Sequence, residues 1–440
     1  TGALQQLGIT ADDLRQVLAV GGPRKELVIR ENLAKTLDSL TKPPESAVSQ
    51  AATAINGIWK GWQLFSPKRF PKYETRNLSG DTDHVFVGSP RAFLKAPRAL
   101  SELYKVIFKN AGMTPEMRSW FERGGIQSTL FTQEIADVSK LKVFERFLDE
   151  HGNFKNPLMK LFKGYWNTVR KIDTMRESIL RYAAYLDFLE RMKKSPDGNP
   201  GNFGASDRAE VMALDSLEDR AFKMQNDLLG AYDQVSVVGQ YLRRRAYPFW
   251  SWVEVNFRVY KGLLKNAVAD GKAAGTVGRA LGVTIPKTAY KVGKFAIKAA
   301  GLWAVLNAWN YLKFRDEEEE LPEEVRRKPH IIFGRDKDGK VLYFSRLGAV
   351  ADFVEWFGLD DPVMMVQDFL NGRKTLKEIA VEMAKAPITK VAQGISPFIK
   401  VPFELFTSKK LYPDPFKPGT IRDPWLHLAD SLGFKDEYIA

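Results

Sequence analysis

The sequence predicts an all-α protein, an elongated assembly of many helices with one small β-hairpin near residues 330–345. Apolar residues recur at helical spacing along much of the chain, and strands do not alternate with helices anywhere. The 440 residues are 44% apolar and 27% charged, which is typical of a folded protein and argues against disorder of the whole chain. Thr1 in place of Met predicts a processed end or a piece of a longer chain.

The clearest helical pattern covers residues 172–192, where apolar and charged side chains alternate with the period of an α-helix. Asp173, Arg176, Glu177 and Arg181 lie within two turns of one another in this stretch. We expect them to form exposed ion pairs. Such pairs each contribute less than ~1 kcal/mol, so they do not predict a functional site.

Breaks in the helical pattern divide the chain into four units. These are an N-terminal helical segment, a helical domain, a second helical domain that holds the basic and apolar segments, and a unit with the hairpin, helices and an extended tail. Their bounds are 1–60, 61–195, 205–315 and 316–440. Ser195–Gly201 is a strong loop signal, and Ser206 is the expected N-cap of the next helix.

The predicted hairpin consists of two short β-rich runs around a charged, glycine-containing loop. His330–Gly334 and Lys340–Phe344 are the runs, and Arg335–Gly339 joins them. Everything else is expected to be helix or connection, with a bend at 275–286 and an extended tail near Pro413–Pro418.

Motifs of the common enzyme classes are missing. There is no cysteine, which excludes disulfides, thiol catalysis and cysteine-ligated zinc. Phosphate-binding glycine loops and the nucleophile elbow are also absent from the sequence. The four histidines are His84, His151, His330 and His427. They lie far apart in the sequence, so no zinc site and no other metal site is predicted. We therefore expect no catalytic residues and no cofactor.

Carboxylates are too numerous for any pair to stand out as a glycosidase site. Glu134 with Asp137, or Glu145 with Asp149, can be nominated for general acid and base roles, but 53 acids make such pairs common. The acidic run Asp316–Glu320 lacks the ordered spacing of a calcium loop, and a block of like charges usually stays solvated.

The positive charge is concentrated in one segment. Residues 243–298 hold twelve Lys or Arg side chains against two acids, a net charge of +10, so the rest of the chain carries only +3 of the total of +13. Such a field favours an anionic partner, either DNA or a lipid surface. The alternative is a solubilising face of a helical protein.

Arginines and aromatic residues adjoin one another at the start of this segment. The candidate contacts to nucleic acid or lipid headgroups are Arg243, Arg244, Arg245, Arg258, Lys261 and Lys265. The candidate aromatic boundary is Tyr247, Phe249, Trp250 and Trp252. This mixture suits a membrane–water boundary or stacking on single-stranded bases. Rings that fill the core of a proline-kinked helix start are the alternative.

A twenty-residue apolar stretch, Phe295–Phe314, has the length of a bilayer core. Its candidate lipid-facing residues are Phe295, Leu302, Trp303, Leu306 and Trp309. Lys298, Asn307, Asn310 and Lys313 interrupt it, and the mean hydropathy of the chain is mildly negative at −0.28. A buried helix is therefore favoured over a conditional membrane helix, and both are favoured over a constitutive span.

The succession of motifs over roughly residues 60 to 420 resembles the C-terminal part of large bacteriophage polyvalent proteins and internal virion proteins. The motifs that carry the resemblance are, in chain order, Trp62–Pro67, Thr75–Asp81, Arg176–Ser178, Arg181–Ala183, Gln240 with Arg243, Tyr247–Trp252, Leu321–Arg326, Phe353–Glu355, Ser396–Leu405 and Thr407–Tyr412. The order of these motifs along the chain carries the resemblance, more than any single motif.

The resemblance implies a structural protein that is packaged inside the virion and released into the host with the genome. In the periplasm, the inner membrane or the cytoplasm, its partners would be copies of itself, other virion or ejection proteins, phage DNA and the host inner membrane. Some members of the family form a conduit for DNA, so we expect oligomerisation. The alternative is a nucleic-acid-binding module that acts inside the host. A third hypothesis, a hidden cell-wall hydrolase, is supported only by the abundance of carboxylates.

Overall fold

The computed structural model describes residues 53, 56, 57, 59, 60, 70–109, 111–125, 157–274, 276, 277, 285, 286, 301–326, 328–345, 347–349, 355, 356, 358, 371–411 and 415–432. These residues are predominantly helical, which confirms the predicted all-α class. The carboxylate pairs nominated between residues 134 and 149 lie outside the described residues, as does most of the predicted bend at 275–286.

The α-helices are α1 Phe70–Gly88, α2 Ala96–Lys109, α3 Pro115–Glu122, α4 Pro157–Lys193, α5 Arg208–Met212, α6 Leu217–Leu229, α7 Val237–Arg245, α8 Trp250–Ala274, α9 Gly301–Lys313, α10 Arg315–Glu320, α11 Glu323–Arg326, α12 Leu376–Gly394, α13 Pro397–Thr407 and α14 Pro424–Leu432. Short 3-10 helices cover Pro90–Lys95 and Tyr232–Gln234.

Two antiparallel pairs of only two residues per strand were not predicted. β1, Thr276–Val277, pairs with β2, Ile285–Pro286, and β5, Lys409–Lys410, pairs with β6, Gly419–Thr420. Strands this short carry no alternating pattern, so no signal for them exists in the sequence.

The predicted hairpin is confirmed. Strand β3, His330–Arg335, pairs antiparallel with β4, Val341–Ser345, and a bulge shifts the register between Ile332 and Gly334. Asp336 closes the loop because its Oδ1 accepts the N–H groups of Asp338 and Lys340 at 2.9 and 2.8 Å.

Helix starts follow from side chains that accept the first free N–H groups. The expected N-cap at Ser206 is wrong by one residue: Asp207 caps α5, because its Oδ1 accepts the N–H groups of Ala209 and Glu210. Ser206 is buried, and its carbonyl oxygen accepts the side-chain amide of Asn266 instead. At α12, Thr375 and Glu378 form a reciprocal capping box.

The core is built around the C-terminal half of α4. This helix packs against α1, α2 and α6 and against the 3-10 helix Pro90–Lys95. Tyr182, Tyr185 and Phe188 of α4 are fully buried, together with Trp120 of α3. The indole N–H of Trp120 donates to Gln225 Oε1 at 3.0 Å, so the polar atom of this large ring is satisfied inside the core.

Candidate functional site

The most concentrated group of charges in the described residues is a buried cluster centred on Arg176. Its guanidinium donates to Glu74 at 2.6 Å, Asp81 at 3.3 Å, Asp173 at 2.8 Å and Glu177 at 3.2 Å. Glu74 and Asp81 belong to α1, and the other carboxylates belong to α4. We call these five residues, with Arg181, the Arg176 cluster.

The expectation that these α4 residues form exposed ion pairs is wrong. Asp173, Arg176, Glu177 and Arg181 are all buried. The physical reason is that α1 covers this polar face of α4 and adds two carboxylates of its own. A buried charge is tolerated only when it is paired and hydrogen-bonded, which is what the fork of Arg176 provides.

Arg181 is the second cation of the cluster and is 1% exposed. Its Nη2 donates to the carbonyl oxygen of Leu229 at 2.8 Å, and its guanidinium lies 5.8 Å from the ring centre of Tyr232. Its Nε and Nη1 have no hydrogen-bond partner, nor do the two ring nitrogens of His84, whose ring centre lies 5.2 Å from that of Tyr260.

These unpartnered polar atoms line a small cavity. Its wall includes Asp81, His84, Arg181, Tyr232 and Asn256, and its volume is about 10 Å³. That volume corresponds to a single water molecule and excludes an organic substrate. Across the part of the chain that the structure describes, no three His, Asp or Glu side chains are arranged to hold a metal ion.

Burial pushes the titratable groups of the cluster toward their neutral forms. It raises the pKa of Asp81 to about 7, against which Arg176 acts only in part. Burial, reinforced by Glu177, also raises the pKa of Asp173, and it lowers the pKa of His84 to about 3.

The structure places two of the predicted contact arginines in the interior. Arg243 is 4% exposed and Arg245 is 8% exposed. Arg243 donates to Ser251 Oγ at 3.4 Å, and the guanidinium of Arg245 lies 4.5 Å from the ring centre of Tyr241. Arg244 is half-buried. The side chains of Arg243 and Arg245 thus hold α7 in place within the fold.

The other three predicted contact residues lie on one face of α8 and are exposed. Arg258, Lys261 and Lys265 are spaced by three and four residues, which aligns them along the helix. We call them the basic stripe. Arg258 also donates to the carbonyl oxygen of Gln234 at 3.0 Å, and Lys265 donates to Asp207 at 2.8 Å.

An open groove of about 180 Å³ lies beside the basic stripe. Its floor includes the buried side chains of Val255 and Val259. On its rim the ammonium of Lys223 pairs with Glu210 at 3.0 Å and with Asp227 at 3.2 Å. Two carboxylates face one ammonium here, so the rim carries a net charge of −1 and offers no cationic site for an anionic ligand.

Tyr247 and Trp250 connect the basic segment to the C-terminal part of the chain. The hydroxyl of Tyr247 donates to the carbonyl oxygen of Lys390 at 3.2 Å. The ring of Trp250 packs edge-on against those of Tyr247 and Trp356, with distances between ring centres of 5.1 and 6.5 Å. Both rings therefore serve as intramolecular contacts.

Phe249 and Trp252 make contacts with the N-terminal part of the chain. The ring centre of Phe249 lies 6.2 Å from that of Trp59 and 6.5 Å from that of Tyr73. The guanidinium of Arg76 lies 5.6 Å from the ring centre of Trp252. Phe249 has a φ of +64°, a left-handed conformation that is uncommon for an aromatic residue and that these contacts must sustain.

The predicted apolar helix is described from Gly301 onward as α9, so Phe295 lies outside the described residues and only the backbone of Leu302 is described. Leu306 is buried, Trp303 is half-buried, and Trp309 is exposed although its indole N–H donates to the carbonyl oxygen of Ile332 at 3.3 Å. Among the described helices, none combines the length and the apolar character that a bilayer crossing requires.

Asn310 explains why a polar residue interrupts this apolar stretch. It is buried, donates to the carbonyl oxygen of His330 at 3.0 Å and accepts the N–H of Ile332 at 3.0 Å. The side chain therefore docks α9 on β3. The opposite side of α9 leaves Val305, Tyr311 and Leu312 exposed.

A second exposed apolar face was not predicted from the sequence. Helix α13 turns Phe398, Ile399, Phe403 and Phe406 toward solvent. The helix also buries Val401 on its inner side, so apolar residues occupy both faces. Periodicity identifies a helix in such a sequence but cannot tell which face is covered.

Comparison of the chain with protein-family models, with curated proteins and with solved structures finds no match. The geometry of the described residues is therefore the basis for assigning a function.

Proposed function

We propose that this chain is a structural internal virion protein of a bacteriophage, a piece of a longer chain that enters the host with the genome. In the host, it would assemble with other copies and with other ejection proteins into part of a conduit for phage DNA across the periplasm or inner membrane. The proposal assigns no catalytic role to the described residues and requires no cofactor.

The observation that carries the proposal is the pair of apolar helical faces exposed on α9 and α13. A surface helix normally turns polar side chains to water. Contiguous exposed apolar residues mark contacts with other molecules. Exposed apolar faces of this kind suit a protein that is packaged against other molecules and assembles with them.

The cavity at the Arg176 cluster argues against a substrate-binding site there. It has the volume of one water molecule, and the charges of the cluster are engaged in holding α1 on α4. The absence of cysteine also suits a protein that must pass between compartments of different redox poise. Both features fit the role implied by the order of motifs.

The decisive experiment is quantitative mass spectrometry of intact virions beside virions that have already released their DNA. Peptides of this chain in the first sample and their loss from the second are the expected result. Peptides that remain in both samples would indicate a fixed capsid or tail component. Absence from both would contradict the virion proposal.

Assembly is tested separately by the mass of the purified chain in solution, with and without lipid and over a range of pH. We expect species larger than the monomer in at least one of these conditions. A strict monomer in all of them would count heavily against a conduit.

The second candidate is a nucleic-acid-binding module of a phage polyvalent protein that acts inside the host. The observation that favours it is the basic stripe, three exposed cations aligned on one face of α8. Such a stripe can follow a phosphate backbone. Retention of the chain in an intracellular complex with phage DNA, without any in the virion, would favour this candidate.

A further inference from the structure

Helix α13 has an outer face made only of apolar side chains. Phe406 is 90% exposed, Phe403 is 54% exposed, Ile399 is 47% exposed and Phe398 is 40% exposed. With Pro402 they fill one continuous arc of the helix at spacings of three, four and seven or eight residues. We call these five residues the α13 face.

The inner side of the same helix fixes the α13 face outward. Glu404 is fully buried, lies 2.8 Å from His427 Nε2 and accepts the N–H of Leu411 at 2.7 Å. Val401 is buried beside it. Rotating the helix to hide its phenylalanines would expose Val401 and break the bonds of Glu404, so the outward orientation is stable.

The start of α13 is also held in place. The N–H of Ser396 donates to the carbonyl oxygen of Ala246 at 2.7 Å, just after α7. A Cβ atom on Gly394 would lie 1.9 Å from the ring of Tyr247, so the chain before α13 passes directly over that ring. The α13 face is therefore a fixed part of the surface.

Exposed cations adjoin the C-terminal end of the α13 face. Lys409 follows it by three residues in β5, and Lys417 precedes β6. The N–H of Ile421 donates to the carbonyl oxygen of Ser408 at 3.1 Å, which brings Arg422 back to the end of α13. Lys409, Lys417 and Arg422 are exposed.

We propose that the α13 face docks on an anionic lipid bilayer, with α13 lying in the plane of the interface and Lys409, Lys417 and Arg422 on the headgroups. An apolar helical face bordered by Lys and Arg is the pattern of helices that lie on membranes rather than cross them. Anionic headgroups attract each nearby cation, and that attraction weakens with salt.

A second copy of the chain fits the same surface less well. A symmetric pair in which the two α13 helices run parallel would bring the same three cations of both copies together, and like charges at a contact are unfavourable. Five side chains on one helix also cover less than the roughly 800 Å² per partner of a standard protein interface. A bilayer needs no shape complementarity and supplies the opposite charge.

This inference deepens the proposed function, because it names the surface that would meet the host membrane. It is tested on the purified full chain by co-flotation with vesicles, independently of any virion. We expect binding to vesicles that contain phosphatidylglycerol, weaker binding to vesicles of phosphatidylcholine alone, and loss of binding as salt is raised.

The double variant Phe403→Ser, Phe406→Ser should reduce partitioning onto phosphatidylglycerol vesicles by about tenfold or more. Leu94→Ser is the matched control, since Leu94 is 78% exposed and lies far from α13 in the sequence. Circular dichroism and the denaturation midpoint should be the same for both variants, because neither replaces a buried side chain.

Unchanged vesicle binding by the double variant would overturn the inference. So would equal binding to both kinds of vesicle at every salt concentration. Loss of a dimer in the double variant, together with no vesicle binding by the native chain, would assign the α13 face to a second copy instead. A chain that binds vesicles as expected but is absent from virions would keep this inference and contradict the proposed function.

Discussion

Asp81 and His84 lie one turn apart on α1 and line the same cavity, yet burial raises the pKa of Asp81 and lowers the pKa of His84. The pKa of Asp81 is raised from 3.8 to about 7, and the pKa of His84 is lowered from 6.5 to about 3. Both shifts favour the neutral side chain. Between about pH 4 and pH 6.5, Asp81 therefore lowers the stability of the fold as pH rises, whereas His84 raises it.

The first prediction concerns Asp81→Asn. The folded chain keeps the proton of Asp81 between pH 3.8 and about 7, where the unfolded chain has released it, so this carboxyl makes the native protein less stable as pH rises through that window. Relative to the native chain, the variant should gain stability with rising pH by up to about 1.4 kcal/mol per pH unit. Urea denaturation at a series of pH values measures this, and a pH-independent difference would contradict it.

The second prediction concerns His84→Gln and has the opposite sign. Neutral His84 in the folded chain resists protonation, so the native protein loses stability as pH falls from 6.5 toward 3. Replacing the ring removes this loss, and the stability of the variant relative to the native chain should rise as pH falls. The same urea series serves as the assay. A gain at high pH rather than low pH would show that the ring is charged inside the fold.

The third prediction concerns Arg176→Leu. Removing the guanidinium leaves the buried carboxylates of the Arg176 cluster without the donor that they share, which we expect to cost about 3–5 kcal/mol of unfolding free energy. Arg98→Leu is the matched control, because Arg98 is half-exposed and its pair with Glu102 should contribute less than about 1 kcal/mol. Equal midpoints of chemical denaturation for the two variants would contradict the role of the cluster.

The fourth prediction concerns the packing of α8 against the loop before α5. A Cβ atom on Gly262 would lie 2.1 Å from the carbonyl oxygen of Ala205, and Asn266 on the next turn donates to the carbonyl oxygen of Gly204 at 2.9 Å. Gly262→Ala should therefore destabilise the protein by about 1–3 kcal/mol. Gly112→Ala, where a Cβ atom meets nothing within 4 Å, is the control and should be near neutral. Thermal unfolding distinguishes the two.

The fifth prediction concerns the basic stripe and tests the second candidate function. If the chain binds DNA, its log affinity falls as log salt rises. Replacing the three cations of the stripe by Gln should make that slope shallower, by about 0.9 for each phosphate that is no longer neutralised. Arg243 and Arg245 are unsuitable for this test because their burial makes a loss of folding the expected result. A control triple variant replaces exposed lysines elsewhere, at Lys105, Lys109 and Lys193. An unchanged slope would remove the stripe from DNA binding.

The sequence predicted what depends on local patterns. The hairpin at 330–345 was recognisable because two β-rich runs flank a loop that Gly339 closes with a φ of +79°. The loop at Ser195–Gly201 is present for the same kind of reason, with Gly198 and Gly201 at positive φ. Such features depend mainly on a few adjacent residues, so a short stretch of sequence is enough to predict them.

What the sequence could not predict depends on distant residues. The charges of α4 were expected at the surface because helical spacing does not say that α1, about a hundred residues earlier, covers them. Asn310 counted against a membrane span, but its spacing could not show that β3 supplies its hydrogen-bond partners. The α13 face escaped notice because an apolar residue looks the same in a sequence whether it is covered or exposed.

The bond between Arg176 and Glu74 joins two residues that are 102 positions apart. Neither α1 nor the C-terminal half of α4 can keep its carboxylates or guanidinium buried unless the other is in place. The two helices should therefore open together, as one foldon, and their backbone amides should report a single free energy in native-state hydrogen exchange. A fragment that ends before residue 173 would lack the partner that α1 needs, so proteolysis should remove α1 from it rapidly.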